Sequence, residues 1–137
     1  MGGSVVASPP DPVLMEKYVH LLKSLRKQCE KLVVVVGGGS VARDFIRVAE
    51  GMGLSEWDKD EVAIAVSRLI AQLLARRLGD LGSRVVPTSI EEALRSLGRG
   101  EIVVMGGLKP GMTTDAVAAM IAERIGADLL VKAADQD

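Results

Sequence analysis

The hydrophobic positions of this chain follow two periods. Leu32–Val36 is an unbroken apolar run, mostly β-branched, too short for a helix core and suited to a strand buried on both faces. Val41, Phe45, Ile46 and Val48 follow at helical spacing, so Gly37, Gly38 and Gly39 fall where a strand hands over to a helix. Upstream, Leu14, Tyr18, Leu21, Leu22 and Leu25 mark one helix face, with Glu16, Lys17, Lys23 and Lys27 on the wet side. Ser8–Pro12 reads as a loop ahead of that helix. Beyond Gly51 and Gly53 a long helix is expected to run to about Leu78, with Asp58 and Glu61 as its capping pair. Its inner face would use Val62, Ala65, Val66, Leu69, Ile70 and Leu73. Val85–Val86 reads as a short strand, Ser89 and Glu92 as caps of a helix through Leu97, and Ile102–Met105 as a third strand. Val117, Met120, Ile121 and Ile125 supply a last helix, and Leu129–Lys132 a fourth strand. Such alternation implies an α/β fold with a largely parallel sheet.

Composition narrows the class. A chain of 137 residues is one domain by length, and 48% apolar residues with a net charge of −1 describe a globular protein. Neither a disordered chain nor a strongly nucleic-acid-seeking one fits that balance. Tyr18, Phe45 and Trp57 are all the aromatics, too few for a base-stacking platform, so no nucleic-acid partner is expected. Cys29 is the single cysteine, which rules out an internal disulfide and suits a reducing cytoplasm. No apolar run approaches membrane-spanning length and no signal pattern opens the chain, so no membrane partner is expected either. His20 lies off the apolar stripe as a solvated side chain, and nothing near Cys29 in sequence would make it a thiolate. Arg76, Arg77 and Arg84 read as helix-end charges, and Glu91 and Glu92 as first-turn acids facing the helix dipole.

The chemistry is carried by glycine. Gly37–Gly39 at a strand exit lets backbone approach a ligand, and the free N–H groups and positive dipole end of the next helix would face an anion. Arg43, one turn in, would add a bidentate charge. A tight strand–helix turn with no ligand accounts for the triad equally well. A second glycine stretch, Gly106–Asp115, follows the third strand. In parallel sheets ligands bind beyond the carboxyl ends of the strands, where both stretches emerge. Thr113 and Thr114 would offer hydroxyls there or simply N-cap the helix. Lys109 would be either a ligand charge or a solvated one, and Asp115 either functional or a first-turn acid. No Walker A pattern occurs. Gly37, Gly39 and Ala42 satisfy the dinucleotide spacing, yet the acids about twenty residues on, Glu56, Asp58 and Asp60, open a helix where a ribose-binding acid should end a strand.

The GGS near the start, VVVVGGGSVAR, and above all VVMGGLKPGMTTDAVAAMIAE resemble the archaeal-type UMP (uridylate) kinases of the amino acid kinase family, over essentially the whole chain. The resemblance implies a three-layer αβα sandwich with a largely parallel sheet. It implies transfer of the γ-phosphoryl group of ATP, with Mg2+, to UMP, and a homo-oligomer, either a dimer or a hexamer. By resemblance Gly38, Asp60, Leu108, Lys109, Pro110, Gly111, Met112, Thr113 and Thr114 line the UMP site. Gly3, Ser4, Gly39 and Arg43 face ATP and the transferred phosphate, and Asp115 stands where the family keeps an acid that positions catalytic lysines. No residue is assigned to a metal. Ile70 stands where the family has asparagine, and Leu108 and Ala134 where it has threonine. The family's first strand and C-terminal lobe have no counterpart in residues 1–137, so the chain reads as one domain, the nucleoside-monophosphate-binding N-terminal lobe. Asp135 and Asp137 look like a metal pair or solvated terminal acids. Two further readings stay open: a non-catalytic UMP-binding or assembly module, and a Rossmann-type dinucleotide-binding domain.

Overall fold

A computed structural model describes residues 11–125 and 129–133. The elements are α1 (Pro12–Arg26), β1 (Leu32–Val36), α2 (Gly39–Gly51), α3 (Glu56–Leu78), a 3-10 turn (Gly79–Leu81), α4 (Ile90–Gly98), β2 (Val103–Met105), α5 (Thr114–Ile125) and β3 (Leu129–Ala133). The three strands form a parallel sheet in the order β2-β1-β3, with Val34 level with Val104 on one side and Val131 on the other.

All five residues of β1 are buried, as a central parallel strand requires. Their side chains alternate between two cores. Leu32, Val34 and Val36 pack with Val19 and Leu22 of α1 and Val66, Ile70 and Leu74 of α3. Val33 and Val35 pack with Ala93 and Leu97 of α4 and Val117 and Ile121 of α5. Helices thus cover both faces, and the fold is an αβα sandwich. No helix among the described residues is long and apolar enough to cross a membrane.

Several local expectations are corrected. Val85–Val86 forms no strand: the chain meets β2's far side only at one isolated bridge, Gly82 to Ile102, then bends away, leaving Val85 72% exposed. Pro12 lies inside α1 at its start, where proline's missing N–H costs nothing, and Asp11 caps that helix by accepting from the Val13 N–H at 2.9 Å. α3 is capped by Ser55, which accepts from the Asp58 N–H at 3.1 Å, so Asp58 and Glu61 are not its cap. The buried stripe of α3 runs Val66, Ser67, Ile70, Ala71, Leu74, Ala75 and Leu78, while Leu69 and Leu73 are more than half exposed. On α2 the buried residues are Gly39, Ala42 and Ala49, and Phe45 and Val48 face outward. On α1 Val19 is buried and Leu21 exposed. His20 is exposed, and Ser89 and Glu92 do cap α4, Ser89 accepting from the Glu92 N–H at 3.2 Å.

Candidate functional site

β1 and β2 are parallel neighbours, so the chain leaves both at the same end of the sheet. Gly37–Gly39 follows β1 directly into α2, and Gly106–Thr113 follows β2 into α5. Between them lies a cleft of about 380 Å³ lined by Gly37, Gly38, Lys109, Gly111, Thr113 and Thr114, with Asp60, Ala63, Ile64 and Ser67 of α3 as its wall. Met112 and Gly107 complete it. The volume is in the range of small-molecule sites.

Two helix starts reach this cleft. The N-cap of α2 is Gly38, which has no side chain to cap the helix. At α5, Thr113 Oγ1 accepts from the Ala116 N–H at 3.0 Å, which makes it the cap; its own O–H still has a proton to donate. Lys109 adds a mobile positive charge at the rim, where it is exposed. That end of the cleft can receive an anion.

Asp60 supplies the opposite character. Its Oδ2 accepts from the Gly111 N–H at 3.1 Å, and the carboxylate, part of the cleft lining, has further capacity to accept from donors. Lys59 beside it pairs with Glu56 at 2.6 Å, and that hydrogen bond, with the nearby charges of Glu50 and Asp60, holds its ammonium above its ordinary pKa. A ligand with an anionic group at one end and hydroxyl or N–H donors at the other suits both halves.

The second glycine stretch lies hard against α3. A Cβ on Gly106 would come within 2.5 Å of Ser67 Oγ and 2.8 Å of the Arg68 backbone nitrogen, and one on Gly107 within 2.8 Å of Ile64 Cγ1. Glycine is dictated here by close approach of helix to loop. Ser67 Oγ accepts from the Gly107 N–H at 2.9 Å and donates to the Ile64 carbonyl at 2.8 Å. Arg68 donates to the carbonyls of Gly107 and Leu108.

Of the residues expected at the site, Gly38, Asp60, Lys109, Gly111, Met112, Thr113 and Thr114 line the cleft. Leu108 and Pro110 do not; Leu108 turns inward onto the core that holds Val33 and Val35. Gly39 is buried at the start of α2, Arg43 lies exposed one turn along it, and Asp115 is exposed in the first turn of α5; none of the three is in the lining. Gly3, Ser4, Ala134, Asp135 and Asp137 lie outside the described residues. Sequence reasoning missed Gly107 and the α3 wall of Ala63, Ile64 and Ser67. The available signal was Ser67, a polar residue inside an otherwise apolar buried stripe.

The amino acid kinase family profile matches residues 1–137. A uridylate kinase of Methanococcoides burtonii is 45% identical over the whole chain, which covers 58% of that protein. One from Methanocaldococcus jannaschii is 46% identical over 134 residues, 96% of this chain and 59% of the relative. The crystal structure of uridylate kinase from Archaeoglobus fulgidus superposes with a TM-score of 0.87 at 37% identity, over all of this chain and 62% of that one. The chain therefore spans somewhat under two thirds of the length of the proteins it matches.

Proposed function

The chain belongs to the amino acid kinase family, and on that premise we propose that it is the nucleoside-monophosphate-binding lobe of a UMP kinase, an enzyme that converts ATP and UMP to ADP and UDP. The observation that carries this reading is the convergence of two glycine-bearing strand exits and two helix starts on one cleft. The uridylate kinase relatives supply the substrate class.

Phosphoryl transfer between two anions calls for positioning and charge neutralisation more than for covalent chemistry. UMP would lie with its phosphate toward the starts of α2 and α5 and Lys109, and with its hydroxyls and base toward Asp60. Gly38, Gly111, Met112, Thr113 and Thr114 close around it, while Leu108 and Pro110 shape the loop from behind. Gly39 and Arg43, with Gly3 and Ser4, would face the incoming phosphoryl group, and Asp115 would orient the cations that meet it. Among the described residues no three potential ligands gather into a metal site. Mg2+ would come with ATP, where it would neutralise phosphate charge. A cytoplasmic homo-oligomer, dimer or hexamer, is the matching assembly; Leu69 and Leu73 of α3, at 57% and 52% exposed, offer apolar surface for it.

The test combines binding and turnover. UMP should raise the melting temperature where uridine does so weakly and NAD not at all. A coupled assay with ATP then separates the kinase from a UMP-binding module, which would bind saturably without turnover. Stabilisation by NAD in place of UMP would overturn the proposal.

A further inference from the structure

We propose that Arg68 is a positioning residue for the second glycine loop, acting on the nucleotide through the peptide planes it holds. Its Nε donates to the Gly107 carbonyl at 3.0 Å and its terminal nitrogen to the Leu108 carbonyl at 2.9 Å, a two-pronged grip on successive peptide units. Arg68 is not itself in the cleft lining and meets it only through the Gly107 carbonyl; its side chain lines a separate cavity with Gln72 and Arg84.

A trans peptide points its C=O and its N–H in opposite directions. Fixing the carbonyls of Gly107 and Leu108 toward Arg68 therefore turns the N–H groups of Leu108 and Lys109 away from it, to the side on which Gly107 and Lys109 line the cleft. Among the described residues neither N–H has an acceptor within the protein. Ser67 fixes the preceding unit by accepting from the Gly107 N–H, so three consecutive peptides are oriented from α3. Two aligned, unspent donors result, and their order is set by a side chain that never meets the ligand. Lysine cannot reproduce this, because a single ammonium lacks the rigid fork.

The inference rests on the reading of the cleft as a nucleotide site, and the experiment separates the two. Arg68→Lys and Arg68→Met are made in the full chain. UMP affinity is measured by calorimetry, and the amide resonances of Leu108 and Lys109 are recorded without ligand. Both variants should bind UMP at least about tenfold more weakly, with melting temperatures close to the parent and displaced Leu108 and Lys109 amide signals. Arg68→Lys stands alone if Arg68→Met does not fold. Unmoved amide signals, or undiminished UMP affinity, overturn the role of Arg68. If the parent itself does not bind UMP, the nucleotide reading fails, and the amide signals alone decide whether Arg68 orders the loop.

Discussion

Asp60 Oδ2 and the Gly111 N–H meet at 3.1 Å, tying the second turn of α3 to the tip of the loop that follows β2. One carboxylate thereby joins the α3 wall of the cleft to the loop backbone across it. The bond spans two elements that the sequence keeps far apart.

Replacing Asp60 separates its two tasks. Asp60→Asn keeps an oxygen that can accept from Gly111, whereas Asp60→Ala removes tie and charge together. Asp60→Ala should weaken UMP binding by about tenfold or more, the worth of one charge-assisted hydrogen bond, and Asp60→Asn by less. Calorimetric titration of both variants checks the order; equal affinities for Ala and parent would exclude Asp60 from the site.

Glycine-to-alanine substitutions should split by location. Gly106→Ala drives a methyl group into Ser67 and should destabilise by about 1–3 kcal/mol, as overpacking does. Gly51→Ala, at the end of α2 with open space around it, should be neutral or stabilising by up to about 1 kcal/mol. Urea unfolding of the pair reads the difference directly.

Adjacent leucines on α3 should behave oppositely. Leu74 is 1% exposed and Leu73 52%. Leu74→Ala should cost about 2–5 kcal/mol through lost burial and a cavity, and Leu73→Ala within about 0.5 kcal/mol in a monomer, as for surface sites. A larger Leu73 effect that grows with protein concentration would show the exposed face of α3 buried between copies.

Arg43→Ala tests the transferred-phosphate end. Phosphate-dependent binding, of UMP and of ATP, should fall about tenfold while uridine affinity holds, since a guanidinium recognises phosphate. Unchanged affinity for both nucleotides would remove Arg43 from the site.

The parts of the fold legible in sequence are those where one local signal dominates. Leu32–Val36 could only be a buried strand, and Gly37–Gly39 and Gly106–Gly111 marked its exit and its neighbour's. The face of α3 was less legible: with apolar residues at 62, 64, 66, 69, 70, 73 and 74, several stripes fit, and tertiary contact with β1 chose Val66, Ile70 and Leu74. Val85 and Val86 carry strong strand propensity, but propensity alone does not hold them where only one bridge to Ile102 forms. At the cleft, the loop glycines were visible as a motif, whereas Ser67 and Arg68 were not, because their partners are backbone groups about forty positions away.

The two turns that bound the cleft are secured by unlike means. The first leaves a strand laced on both edges, so it moves only if the sheet moves. The second hangs from Asp60, Ser67 and Arg68, side chains of a single helix. The position of the second turn is therefore set by α3, and that of the first by the sheet.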